Sequence, residues 1–242
     1  MSYSIKQMGN EHTNSSSRDG HVPYVIVDHI SAGSMGSMDN WFRSAGNKKS
    51  SAHFGVSKAG EIHQYVPIQR MAWANGLSQW EQRNALAQVI RNNPSVNPNK
   101  YTVSIEHEGT DGDLTQAQFA ATVWLHKYIQ TEIKRLYGRD MALDEYHVIG
   151  HFQVDPKRKP NCPGPKFPWA NLYAALKENG EDDEKLNLTK TQKNMLVESL
   201  QALYDRKIIS DKSWIEKAEK GTLTNSELSW LNIIILSRKE GK

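Results

Sequence analysis

The sequence predicts an α/β protein, a central mixed β-sheet flanked by helices, followed by a small all-α unit. Three observations carry that expectation. The nearly continuous apolar run VPYVIVDHI at residues 22–30 has the composition of a strand buried on both faces of a sheet. Strand-like and helix-like segments alternate from there to about residue 179, the pattern of a sheet covered by helices. Beyond the charged, apolar-poor stretch GEDDEKLN at 180–187, which has the character of a linker, only helical periodicity remains.

The first strand closes on His29. Residues 51–66, SAHFGVSKAGEIHQYV, read as a hairpin turning at Lys58-Ala59-Gly60. Trp80 to Asn93 reads as one helix, and the prolines and asparagines of NPSVNPNK after it as an irregular loop, so that Trp80 to Lys100 is expected as an insertion at the rim. In TVSIEHE, residues 102–108, alternation puts Val103, Ile105 and His107 on one face and Ser104, Glu106 and Glu108 on the other. Thr115-Gln-Ala-Gln118 matches a capping box, and Leu125, Ile129, Ile133 and Leu136 form the stripe of an amphipathic helix that stops near Gly138.

A short strand around 147–150 and a helix over 168–179, stopping at Gly180, complete the first domain, expected at residues 1–180. The second is expected at 184–242. There Thr189-x-x-Gln192 and Thr224-x-x-Glu227 are capping boxes and Gly221 a stop, which predicts helices over roughly 190–207, 211–220 and 225–238. Leu196, Leu200, Leu203, Trp214, Leu228, Leu231 and Ile235 would close its core.

Composition narrows the function. The chain has 30 Lys and Arg against 27 Asp and Glu, interspersed, so no nucleic-acid footprint is indicated. A single cysteine excludes an internal disulfide and leaves the thiol free for chemistry. The longest apolar run, Ile233 to Leu236, is too short for a bilayer, and MSYSIKQMGNEHTNSSSRDG lacks an apolar signal segment. The expectation is a protein made in the cytoplasm without a signal peptide, with no membrane partner.

Catalytic zinc takes three ligands from His, Cys and carboxylate and leaves a fourth position for water. His29 at a strand end, and His151 and Cys162 on one loop after another strand, could meet at one sheet edge; their spacing permits this without requiring it. A lone strand-end His is more often a hydrogen-bonded structural residue, and a single Cys more often a small buried hydrophobe. Cys162 departs from that pattern, because Asn161, Pro163, Gly164 and Pro165 surround it with a rigid loop.

Five segments, IVDHISAG, SAHFGVSKAGEIHQYVP, AWANG, SIEHEGTD and GHFQVDPKRKPNCPGPKFPW, occur in that order between roughly residues 20 and 178. Together they resemble the zinc-dependent N-acetylmuramoyl-L-alanine amidases of type 2, a group that includes phage endolysins, bacterial autolysins and the structurally related peptidoglycan recognition proteins. The resemblance implies one Zn²⁺ in the catalytic domain, held by His29, His151 and Cys162, the last an aspartate in some members. It implies Glu106 as the catalytic carboxylate, with Glu108 on the same face as the alternative. The family's oxyanion-stabilising lysine commonly lies two residues before the third ligand, where this chain has Pro160; Lys159 is nearest, and Lys157 or Arg158 could substitute. His53, Trp73 and Asn75 are expected to line the substrate cleft, although AWANG lacks the histidine some members carry after the tryptophan. His63 and His107 are assigned to structure, His147 to the approach strand, and His126 to the surface edge of the long helix.

The implied reaction is hydrolysis of the amide between the lactyl group of N-acetylmuramic acid and L-alanine of the peptidoglycan stem, by a zinc-activated water. The implied setting is a phage or prophage endolysin that reaches the cell wall through a holin. Two rivals stay open: a non-catalytic peptidoglycan-binding module, whose members typically lack the cysteine ligand, and a zinc peptidase cutting within the stem. A structural zinc site would require a fourth protein ligand, and none is evident. The tail resembles the helical C-terminal regions of some phage amidases, which implies wall targeting or dimer contacts; a stabilising appendage is the plain alternative. Oligomeric state is left open.

Overall fold

Strands β1 (Ile5–Gln7), β2 (Ser15–Ser17), β3 (Val25–Ile30), β4 (Phe54–Val56), β5 (Ile62–Gln64), β6 (Arg70–Ala72), β7 (Thr102–His107) and β8 (Val148–Gly150) belong to the first unit. So do helices α1 (Met35–Phe42), α2 (Gln79–Arg83), α3 (Gln88–Arg91), α4 (Gln116–Tyr137), α5 (His151–Val154) and α6 (Trp169–Lys177). These come from a computed structural model that describes residues 3–177 and 186–240. The main sheet runs β1-β5-β4-β7-β3-β8. β3 lies parallel to both β7 and β8, β4 is parallel to β7 and antiparallel to β5, and β1 is parallel to β5, so the sheet is mixed.

Each face has its own core. Ile26 of β3 and Val103 and Ile105 of β7 pack on Leu125, Ile129 and Ile133 of α4, whose apolar stripe is the one the sequence predicts. Thr115 caps α4 through Gln118 N, and Gly138 ends it in the left-handed conformation (φ 66°). The Gln118 side chain turns inward instead of completing the capping box, donating to the carbonyls of Val56 and Glu108.

The opposite face carries Val25, Val27 and Ile149, and they pack on Ala85, Ala87, Val89, Ile90 and Tyr101. The Trp80 to Lys100 segment is therefore a core wall, not only a rim insertion. It is also two short helices where the sequence predicts one: the Arg91 guanidinium donates to the carbonyls of Ala85 and Leu86, which a continuous helix would have paired internally.

Strands β1 and β2 are new relative to the sequence reading. β2 pairs antiparallel with β6 and leads into Arg18, which is only 4% exposed. Its guanidinium donates to the carbonyls of Ile68, Asn99, Lys100 and Thr102 and lies 2.8 Å from His53 Nε2. Burial holds its pKa down at about 10. Carbonyl oxygens solvate this charge in place of water, and the arrangement ties the N-terminal segment to the loops before β6 and β7.

The surface position expected for His126 is corrected: it is fully buried, 3.2 Å from Asp28 Oδ2 and 2.8 Å from the Thr122 carbonyl. Asp28 sits in the middle of β3 on the α4 face, and a carboxylate buried there needs a partner from the covering helix. Burial alone would lower the His126 pKa, but Asp28 outweighs it and the net direction is upward.

The chain divides into compact units at residues 1–176 and 177–242. The expected boundary between 180 and 184, and the helix stop at Gly180, lie outside the described residues. The second unit contains α7 (Lys190–Asp205), α8 (Ser213–Lys220) and α9 (Asn225–Glu240), close to the expected spans. They enclose Leu200, Ile209, Ile215, Ala218 and Leu231, with a full capping box at Thr189, reciprocal bonds between Thr224 and Glu227, and a left-handed Gly221 (φ 65°).

Replacing Arg18 by Met strands the four carbonyls it serves. R18M should lose about 3 kcal/mol or more of unfolding free energy, read by equilibrium urea denaturation. A loss under about 1 kcal/mol would mean that the guanidinium is dispensable.

Candidate metal centre and active site

The carboxyl ends of β3, β7 and β8 point the same way, because the three strands are parallel. Loops at such ends are where open α/β sheets gather functional groups. His29 and Glu106 are register partners, so their side chains emerge on one face, the face that carries Val25 and Val27 lower down. His151 follows β8 directly and opens α5.

Cys162 is returned to this edge by a loop closed with backbone hydrogen bonds. Lys159 N donates to the Asp155 carbonyl, Cys162 N to the Lys159 carbonyl, and Phe152 N to the Cys162 carbonyl at 2.7 Å. The thiol is then pinned to the end of β3, accepting from Ile30 N at 3.3 Å. His29, His151 and Cys162 each offer a ligand atom, and the three atoms lie within 4.8 Å of one another.

The electrostatics suit a cation. Burial first, then the neighbouring His151, holds His29 well below the usual imidazole range; burial first, then Lys159, brings His151 to about 4. Both rings are therefore neutral, the form a metal ligates. Burial, and then Glu106, pushes the Cys162 thiol up to about 12, so a thiolate there requires a positive ion beside it. His29 Nε2 and Glu106 Oε2 are buried without hydrogen-bond partners. Two nitrogens and one sulfur at this separation fit zinc with its fourth position open.

Glu106 Oε1 stands 3.9 Å from His29 Nδ1. Burial raises its pKa to about 7, against the opposing pull of Lys159. Behind the site, His107 Nδ1 lies 2.9 Å from the His29 carbonyl, which can only accept, so His107 donates and fixes the strand at the ligand. Glu108 is not in the cleft: its Oε2 accepts from Lys58 N, beyond the end of the strand.

A cleft of about 630 Å³ opens over these groups and is also lined by Trp41, Lys49, Trp73, Arg158 and Lys159. Of the basic residues at 157–159, Lys157 sits over the Trp80 ring and Arg158 pairs with Asp155 and Glu81. Lys159 has no ion-pair partner among the described residues. Trp73 lines the cleft as expected, but His53 and Asn75 do not. His53 is buried between Arg18 and Ser104, where it serves the loop network. Asn75 packs behind His29, close enough to support its imidazole without a full hydrogen bond, and donates to Thr102 Oγ1. Sequence reasoning missed Trp41 and Lys49, which no spacing or periodicity marks.

A model of the family described as N-acetylmuramoyl-L-alanine amidase matches residues 18–165. The chain is 30% identical over 129 residues to the 1,6-anhydro-N-acetylmuramyl-L-alanine amidase AmpD of Enterobacter cloacae, covering 53% of this chain and 58% of that protein. It therefore spans less than two thirds of this relative. N-acetylmuramoyl-L-alanine amidase A of Achromobacter lyticus is 25% identical over 171 residues, covering 64% of this chain and 84% of that one. The crystal structure of a selenomethionine derivative of AmpD superposes with a TM-score of 0.53 at 23% identity, over 73% of this chain and 99% of that chain, a likeness of fold.

The raised pKa of Glu106 has a sign that can be measured. The unfolded carboxyl ionises near the ordinary 4.5 and the folded one at about 7, so between those values the folded protein binds more protons and metal-free stability falls as pH rises. Metal-free E106Q should match the wild type near pH 4 and exceed it by up to about 3 kcal/mol at pH 8, in urea unfolding at the two pH values. A difference independent of pH would place the carboxyl in solvent.

Proposed function

Because the chain belongs to the N-acetylmuramoyl-L-alanine amidase family, we propose that it hydrolyses the amide joining the lactyl group of N-acetylmuramic acid to L-alanine of the peptidoglycan stem peptide. The observation that carries this reading is the meeting of His29, His151 and Cys162 beside Glu106 on one open cleft. The two imidazoles and the thiolate would hold one zinc ion. Bound there, zinc supplies a Lewis acid that acidifies water and polarises the scissile carbonyl.

Glu106, which ionises near neutrality, takes a proton from the attacking water and returns it to the departing alanine amine. The Lys159 ammonium opposes the negative charge that grows on the carbonyl oxygen, a contribution of about 3 kcal/mol for a well-placed donor. Trp73 provides an aromatic wall for the substrate.

The substrate we favour is wall peptidoglycan, cut by an endolysin-like enzyme that reaches the wall through a holin. The similarity to AmpD supports a second reading, in which the substrate is a soluble 1,6-anhydro-muropeptide. The helical unit of residues 184–242 is assigned to wall targeting.

Three measurements test this. Digestion of purified peptidoglycan and of anhydro-muropeptides, with mass analysis of products, should yield new L-alanine amino termini without new reducing ends, and a chelator should stop it. New amino termini within the stem would make the protein a peptidase, and wall binding without cleavage would make it a recognition module. C162S should lose zinc and turnover together, whereas E106Q should keep zinc and lose about 100-fold or more in kcat. A chain ending at residue 180 should sediment with walls less than the full chain; equal sedimentation would remove the targeting role.

A further inference from the structure

The cleft continues past the reacting groups to a wall that the hydrolysis does not use. Helix α1 starts soon after His29 and sends Ser37, Met38, Trp41 and Phe42 to this wall, and the following turn adds Lys49. Met38 and Phe42 are buried against Tyr65, but Trp41 remains 46% exposed. The turn is built around Asn47, which is completely buried. Its Oδ1 accepts from Lys49 N and Ser50 N, and its Nδ2 donates to the carbonyls of Trp41 and Ser50. Asn14 donates to the carbonyls of Asn47 and Ser50 from outside, and Trp41 Nε1 donates to Ser50 Oγ at 2.9 Å. A surface turn with every one of these groups satisfied fixes the backbone from which Lys49 projects and the Trp41 indole beside it, which limits what a recognition subsite must still order.

Charge identifies what this wall would meet. Of the cations lining the cleft, Arg158 is committed to Asp155 and Glu81, and Lys159 lies on the loop that carries Cys162. Lys49 forms no ion pair among the described residues. The sugar on one side of the scissile amide is uncharged, and so is the L-alanine side chain on the other. The first charge of the stem is on its second residue, a D-glutamate linked through its side-chain carboxyl, which leaves a free α-carboxylate or, in other walls, the neutral amide. One residue of extended chain, about 3.5 Å, separates that residue from the alanine. We propose that Lys49, with Trp41 closing one side of it, binds this carboxylate and makes the protein selective for stems whose second residue is not amidated.

The inference rests on the amidase reading, and its test separates the two. The zinc-loaded full chain is assayed on two N-acetylmuramoyl tripeptides in which the side-chain carboxyl of the D-glutamate is in amide linkage to the third residue and which differ only in whether its α-carboxyl is free or amidated. The wild type should favour the carboxylate by about tenfold in kcat/KM, as for a hydrogen bond to a charged group. K49Q should bring the two substrates to within about twofold, and K49R should restore the preference. The preference should also shrink as salt is raised. Equal rates in the wild type, or a preference that survives in K49Q, would overturn the subsite. Cleavage of neither compound would overturn the amidase reading, and the subsite with it.

Discussion

Everything at the site depends on the parallel pairing of β3 with β7 and β8. That pairing sets His29 opposite Glu106 and brings the end of β8, with His151 after it, to the same edge. A slip of one residue would send His29 or Glu106 to the α4 face, because side chains alternate along a strand. The register is held from both sides. On the α4 face Ile26, Val103 and Ile105 enter one core, and on the other Val25, Val27 and Ile149 enter the second. The insertion at residues 80–100 therefore acts on chemistry through packing: by covering the lower part of this face it leaves only the upper part open as a cleft.

The cores are not purely apolar, and their polar members follow one rule. Asp28 meets His126 through Oδ2, and Arg18 meets a ring of carbonyls; each buried group has been given at least part of what water would have supplied. At the cleft the rule is left incomplete. Glu106 Oε2 and His29 Nε2 are orphaned, and the Cys162 thiol is held neutral. Unfinished satisfaction of this kind costs stability; at His29 and Glu106 it falls on the candidate site, while Asp28 Oδ1, Asn75 Oδ1, Gln82 Oε1, Tyr101 Oη and Gln118 Oε1 share it elsewhere among the described residues.

How legible this was in the sequence follows from the range over which each signal acts. The run VPYVIVDHI, the stripe Leu125, Ile129, Ile133 and the caps Thr115, Gly138 and Gly221 announce themselves because apolar period and capping are local. The grouping of His29, His151 and Cys162 became legible only through five motifs in order, since spacing alone permitted it without requiring it. His126 was misread because its partner, Asp28, is 98 residues away and periodicity registers only neighbours. β1 and β2 are three-residue polar strands whose only signal is the edge they pair with. Lys49 and Trp41 stayed hidden because the buried Asn47 that places them leaves no pattern beyond an ordinary surface turn. Glu106 lies between these cases: alternation gave its face, but not that the face is buried.

Glu106 also bears on Cys162 across the candidate site. The Glu106 charge makes Cys162 harder to ionise, since two negative charges this close in a buried cleft cannot both persist without a cation between them. The Lys159 charge favours the ionised form of both, but is not enough to free the thiol, whose pKa stays at about 12. A zinc ion held by His29, His151 and Cys162 would favour the ionised form of both groups, so the thiol and the carboxyl would each give up a proton more readily once the ligand set was filled. A carboxylate in place of Cys162 would ionise more readily unaided and weaken this coupling. With cysteine at this position, filling the candidate ligand set would be what ionises both groups, so that one event would prepare both halves of the proposed reaction.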